Sequence, residues 1–281
     1  MITASAVFNF DRICNSEYPY LLPSDVLMRF AVGLGFPDCN TTAYTNDEMN
    51  ALQYDVLAIW NRITSKQIAE TKEIILTAGA PGVGKTTLIR RMWQSQPNYA
   101  YICPDDVCLK EMELTYGATG ETEGLKNAYN KWKSGSNFAH HRITAQLVLE
   151  NKSFFFGTTA SSDKTYLFLE FLINRGYSIK ILHVSAPGQV RFDSIRERDM
   201  VHVRIQDTFL KYASQIDFYY RPEADQGAIL AATWIRQDQG PAKLEIIDQK
   251  AYEELRRLHD TVCENMGKPQ LKCEYTVEKT L

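Results

Sequence analysis

Gly79-x-x-x-x-Gly84-Lys85-Thr86 matches the phosphate-binding P-loop pattern without a mismatch. The chemistry follows from the residue types. Glycines let the backbone turn tightly and aim N–H groups at an anion, at the start of a helix whose dipole favours negative charge. The run Gly79, Ala80, Pro81, Gly82, Val83, Gly84, Lys85, Thr86 and Thr87 is expected to bind nucleotide. Lys85 would reach the terminal phosphates and the Thr86 hydroxyl would ligate the metal, so ATP and Mg²⁺ are the implied cofactors.

In parallel sheets, ligands gather at the C-terminal ends of strands. Asp105 and Asp106 end an apolar strand 20 residues after Lys85. A carboxylate there can accept a proton from an attacking hydroxyl or help place Mg²⁺, while an Asp after Pro104 can equally serve as a helix cap. Gly157, Thr158 and Thr159 end a third strand, where hydroxyls and free backbone N–H groups would hold a substrate. Arg191 and Arg198 lie seven apart and share a helix face. Arg198 and Arg204 are placed to close over a triphosphate as a lid, although Glu197 and Asp199 also suit an ordinary solvated face. His140 and His141 have no companion ligands at metal spacing and are expected on a helix surface.

The elements that must position these groups alternate strand and helix, which implies a parallel sheet flanked by helices in an α/β fold. Strands are expected at Ile74–Ala78, Tyr99–Ile102, Ser153–Phe156, Tyr177–Val184, Ile216–Tyr220, Ala231–Arg236 and Leu244–Ile247, the last two separated by a turn at Gly240 and Pro241. Helices are expected at Val26–Ala31 behind a Ser24–Asp25 cap, at Thr45–Lys66, Thr86–Trp93 and Phe138–Asn151. Further helices are expected at Lys164–Asn174, capped by Asp163 and apolar on nearly all sides, from Gln189 to about Met200, and at Gln249–Met266. Glu113–Gly124 reads as a mobile loop. The expected organisation is a helical extension over residues 1–70, a P-loop core over 71–248, and a closing helix and tail over 249–281.

Composition excludes several classes. A net charge of −3 gives no general attraction to nucleic acid, so no nucleic-acid partner is expected. No stretch approaches the roughly 18 apolar residues of a membrane span, and the start lacks the pattern of a signal peptide. Six scattered cysteines without C-x-x-C spacing argue against a zinc site and suit reduced thiols in a cytosol, the cell's own or that of a cell into which the chain is delivered. The strand Phe154–Phe156 is not followed by the acid that holds Mg²⁺ in many motor and helicase ATPases. A small kinase-like transferase is favoured.

Together these landmarks resemble the zeta toxin family of P-loop kinases, over roughly Ile74 to Tyr220. The family's G-x-P-G-x-G-K-[ST] is matched from Gly79 through Thr86, and its Asp-bearing strand end by Ile102 through Asp106. The resemblance implies that Asp105 is the base that deprotonates the acceptor hydroxyl, with Asp106 beside the substrate. It implies that Arg198, eleven residues past Pro187, contacts the phosphates, and that Arg204 is the second lid arginine. It also raises a protein antitoxin or regulator as a partner.

On the acceptor side the chain departs from the family. Where the family has Glu-Gly-Thr-x-Arg, this chain has Phe156, Gly157, Thr158, Thr159 and Ala160, and a further family Glu falls near Ala145. Members with those groups phosphorylate the 3′-hydroxyl of UDP-N-acetylglucosamine. Without them, sugar hydroxyls and a diphosphate lose their partners, so that substrate is not expected. The flat face of Phe156 suggests instead a base or nicotinamide-like ring, with Thr158 and Thr159 alongside. The resulting expectation is an ATP-dependent small-molecule kinase acting on a hydroxyl of a nucleotide-like or sugar-nucleotide acceptor. The alternatives are a regulatory nucleotide-binding protein acting through a protein partner, and a polynucleotide kinase.

Overall fold

A computed structural model describes residues 24–109, 122–160, 162, 164–190, 209, 211–238 and 242–265. The elements in chain order are α1 (Ser24–Gly33), α2 (Asn46–Ile63), β1 (Glu73–Ala78), α3 (Lys85–Ser95), β2 (Ala100–Ile102), a π-helical turn (Pro104–Leu109) and α4 (Thr122–Leu149). They continue with β3 (Phe154–Phe156), α5 (Thr165–Asn174), β4 (Ser178–Ser185), β5 (Gln215–Tyr220), β6 (Ile229–Ile235), β7 (Lys243–Ile246) and α6 (Gln249–Asn265). The strands form one seven-stranded sheet in the order β2-β3-β1-β4-β5-β6-β7. β2 pairs in parallel with β3, and β4 with β5.

The sheet is not parallel throughout. β5–β6 and β6–β7 are antiparallel pairs. Only residues 221–228 and 236–242 connect them, and a parallel crossover needs a dozen or more residues. All seven strands stand close to where the sequence places them. The expected cap Asp163, the turn at Gly240 and Pro241, the helix beyond Val190 and the tail beyond Asn265 lie outside the described residues.

The chain divides into two compact units. The first comprises Met1–Ile74, Trp93–Gly157 and Leu167–Tyr177, and the second Ile75–Met92, Thr158–Tyr166 and Ser178–Leu281. In the first, α2 starts with a capping box: the Thr45 side chain accepts from the Glu48 N–H at 3.2 Å, and the Thr45 N–H donates to Glu48 Oε2 at 2.9 Å. Leu52, Val56, Ile59 and Ile63 form its buried stripe. Glu48 also pairs with Lys131, and that bond followed by the Thr45 N–H holds its carboxyl below the usual range.

α4 is far longer than the expected Phe138–Asn151, and residues 122–124 of the expected Glu113–Gly124 loop belong to it. Residues 113–121 of that loop lie outside the described residues. Gly135 lies inside this helix, where a neighbouring side chain meets its backbone. The Tyr44 hydroxyl accepts from the Gly135 N–H at 2.9 Å and donates to the Lys131 carbonyl at 2.7 Å, serving both ends of one helical rung. A Cβ at Gly135 would stand 3.0 Å from that hydroxyl. Farther along α4, Asn137 donates to the Asp38 carbonyl at 2.8 Å.

His140 and His141 are not on a helix surface: they are 4% and 1% exposed. His141 stacks on Phe36 with ring centres 4.7 Å apart, and its Nε2 lies 2.9 Å from the Pro37 carbonyl. That carbonyl can only accept, so Nε2 carries the proton and Nδ1 is bare. The His140 Nδ1, 3.3 Å away, must then be the donor between the two rings. Sequence reading placed them wrongly because their partners, Phe36, Pro37 and Phe156, are remote in the chain. The expectation that α5 is apolar all round and buried also fails in part. Phe168, Leu169 and Leu172 are buried, but Tyr166 and Ile173 are 41% and 44% exposed.

Burial, first of all, pushes the His141 pKa down from 6.5 to about 4, and pushes His140 well below its usual value. Between about pH 6.5 and 4 the unfolded chain therefore binds protons that the native state refuses. Stability falls as pH drops through that window, by up to about 1.4 kcal/mol per pH unit for each ring. Urea midpoints measured from pH 7 to 5 should show the decline. A His141→Phe variant keeps the stack on Phe36 and should show a shallower slope. Identical slopes for the two proteins would contradict this account.

Candidate active site

The phosphate loop lies in the second unit, between β1 and α3. Gly79, Gly82 and Gly84 all have positive φ, at +133°, +83° and +95°. At Gly79 the requirement is also spatial: an added Cβ would stand 2.2 Å from the Val184 carbonyl oxygen. The Gly79 N–H donates to the Thr159 carbonyl at 3.2 Å, so the loop leaves β1 already clamped. Buried Val83, Leu88 and Ile89 anchor its far side and the helix that follows. Lys85 Nζ donates to the Gly79 and Ala80 carbonyls at 2.9 and 2.8 Å. Thr86 and Thr87 are exposed in the first turn of α3.

The loop fits a triphosphate: backbone turned by three glycines, a cation held at its mouth and a helix N-terminus behind it. For Mg²⁺, the exposed Thr86 hydroxyl is available as a ligand; among the described residues no group of three or more His, Cys, Asp or Glu is arranged to hold a metal.

Thr158 and Thr159 sit beside the loop, but their backbone is not free as expected. Thr77 Oγ1 accepts from the Thr158 N–H at 3.0 Å and donates to the Thr158 carbonyl at 2.8 Å. The Thr158 hydroxyl accepts from the Ala160 N–H at 3.1 Å. These residues brace the end of β1. Ala160 stands at φ +48°, a conformation costly for a residue with a Cβ.

Asp105, Asp106 and Phe156 lie in the first unit. The two aspartates open the π-helical turn, in which the Val107 and Cys108 N–H groups both donate to the Cys103 carbonyl, at 3.0 and 3.1 Å. Their environments differ. Asp106 accepts from the Tyr101 hydroxyl at 2.8 Å and is partly covered. Asp105 has a 62% exposed side chain and pairs with Lys133 of α4. Gly157 closes the neighbouring strand end: its N–H donates to the Ile102 carbonyl at 2.8 Å, and a Cβ there would stand 2.7 Å from Cys103 Cβ.

Phe156 is only 4% exposed. Its ring packs against His140 at 4.8 Å, Phe168 at 5.0 Å and Phe36 at 6.1 Å. The flat face expected to receive a ring is thus already covered by the protein's own rings. Ala145 is fully buried. Arg198 and Arg204 lie outside the described residues.

Two residues escape the sequence reading. Lys133 sits in a polar stretch with no motif, and only the fold brings it to Asp105. Arg221 follows β5 directly and donates Nη1 to the Gly82 carbonyl at 3.3 Å. Its position at a strand end is the signal that could have found it.

Comparison with known proteins gives the fold a context. No curated protein sequence matches the chain. Among solved structures, the native complex of AvrRxo1-ORF1 with AvrRxo1-ORF2 is similar at TM-score 0.54 and 12% identity, over 83% of this chain and 78% of that one. The same complex with sulphate ions is similar at TM-score 0.51 and 11% identity, over 86% and 85%. A structure from the PezAT chromosomal toxin–antitoxin system of Streptococcus pneumoniae has TM-score 0.49 and 17% identity, over 66% and 81%. At such identities the likeness is one of fold. The sequence profile of the Zeta toxin family matches residues 58–208, from α2 through β1, the phosphate loop, Asp105 and β4. The chain belongs to the zeta toxin family.

Proposed function

We propose that this protein is an ATP-dependent kinase that phosphorylates a hydroxyl of a small nucleotide-like or sugar-nucleotide acceptor. The observation that supports it most is the complete phosphate cradle, with Lys85 held on the Gly79 and Ala80 carbonyls at its mouth. ATP supplies the phosphoryl group, and Mg²⁺, held through Thr86, supplies charge neutralisation. Lys85 contributes positive charge where negative charge builds up during transfer. Asp105 takes the proton from the acceptor hydroxyl; its exposure and its contact with Lys133 favour it over Asp106, which Tyr101 already engages. Arg198 and Arg204 complete the reading as lid arginines over the phosphates.

The acceptor is not UDP-N-acetylglucosamine. Phe156, Ala160 and Ala145 stand where the family's two carboxylates and guanidinium would grip it. Other nucleotide sugars, and dinucleotides, are the classes to test first. A protein antitoxin or regulator belongs to the proposal as a partner, in line with the crystallised pairing of AvrRxo1-ORF1 with AvrRxo1-ORF2. The proposed place of action is a cytosol.

Labelled ATP incubated with a metabolite extract should transfer phosphate to one soluble small molecule, identified by mass spectrometry. Purified protein that labels nothing would overturn the kinase reading. Lys85→Ala should lower turnover by about 10²-fold or more in a folded protein, as for other donors of transition-state charge. Asp105→Asn should stop transfer while ATP still binds, measured by calorimetry, and Asp106→Asn should retain most activity. The reverse pattern would move the base to Asp106. UDP-N-acetylglucosamine should be weaker than the true acceptor by about 10²-fold or more in kcat/KM. Efficient turnover of it at micromolar concentration would refute the proposed acceptor side.

A further inference from the structure

The Arg221 side chain donates to three backbone carbonyls. Its Nε donates to Gln226 at 3.1 Å, Nη2 to Ala224, and Nη1 to Gly82 at 3.3 Å. Its own N–H donates to the Ser185 carbonyl at 2.9 Å, which fixes the backbone at the C-terminal end of the β4–β5 pair. The stem lies along the phosphate loop: a Cβ on Gly84 would stand 3.3 Å from Arg221 Cδ. Two bonds therefore tie down the 221–226 turn, and the third reaches a loop 139 residues away in sequence.

The choice of carbonyl matters. No peptide bond among the described residues is cis. In a trans peptide the C=O and the following N–H point in opposite directions within one rigid plane. Holding the Gly82 oxygen on one side turns the Val83 N–H to the other. Gly82 and Gly84 are free to take many backbone conformations, so this peptide is the part of the loop most in need of an external restraint. A forked guanidinium can hold the Gly82, Ala224 and Gln226 carbonyls together; an ammonium on a flexible stem cannot.

We propose that Arg221 is a positioning residue for the triphosphate site: it sets the Gly82–Val83 peptide so that the Val83 N–H faces the bound phosphates. The inference rests on the reading of Gly79–Thr86 as a nucleotide loop, and not on transfer to any acceptor. Its action is on phosphates and not on the base. ATP and inorganic tripolyphosphate, each with Mg²⁺, are the probes that separate the two.

Calorimetric Kd values for both probes should be measured on wild type, Arg221→Gln and Arg221→Lys, with thermal melts as the check on folding. Arg221→Gln should weaken ATP and tripolyphosphate by the same factor, about tenfold, from loss of a charged donor that orders the loop. Arg221→Lys should recover less than half of that loss on a logarithmic scale. Unchanged affinities in Arg221→Gln would overturn the proposal. So would a loss for ATP with tripolyphosphate unaffected, which would place Arg221 on the base, or full recovery with Lys, which would make the effect one of charge alone. If Arg221→Gln does not fold, Arg221→Lys decides by itself: both ligands weakened supports the proposal, and neither weakened overturns it. A protein that binds both probes but phosphorylates nothing would sink the kinase reading and leave this one standing. Wild type that binds neither would overturn both.

Discussion

The start of the phosphate loop depends on one close approach of backbone to backbone. Gly79 passes so near the Val184 carbonyl that no side chain fits between them, and its N–H is taken by Thr159. The end of β1, the end of β4 and the segment after β3 are thereby fixed at a single point. Thr77 reinforces it by bonding both backbone groups of Thr158. The glycine is thus first of all a structural constraint. A loop that must present backbone groups to an anion can be neither floppy nor self-satisfied, and here its start is held by the neighbouring strand ends.

The surroundings of Phe156 follow a different logic. Phe36, Phe168 and His140 pack around the ring, so a carboxylate there would be taken out of water among mostly apolar neighbours, at a cost of several kcal/mol unless it is paired. The aromatic ring and its surroundings form one apolar cluster that also dictates two neutral histidines.

What could be read from sequence was what local patterns encode. The P-loop, the strands and most helix starts carry their signals within a few residues: glycine spacing, β-branched runs, caps. What could not be read depended on partners distant in the chain. The first half of α4 was missed, and it holds Gly135, whose rung is served by the distant Tyr44 hydroxyl. His140 and His141 looked like surface residues because Phe36 and Phe156 approach them from elsewhere. The different contacts of the two aspartates, Asp106 with Tyr101 and Asp105 with Lys133, were likewise out of reach of the sequence. Antiparallel β6 and β7 were implied by short connections, a signal the strand–helix alternation overrode.

The contacts along α4 bear on where this protein can be cut. The family profile begins at residue 58. Yet Glu48, Tyr44, Asp38 and Pro37 engage α4 at Lys131, Lys131 and Gly135, Asn137 and His141 in turn, running along the helix like a seam. The start of the profile match and the start of the contacts that cover α4 are therefore different lines. A fragment trimmed to the conserved part would keep the phosphate loop whole and leave α4 open along that seam, with polar groups and Phe36's aromatic neighbours bared to water.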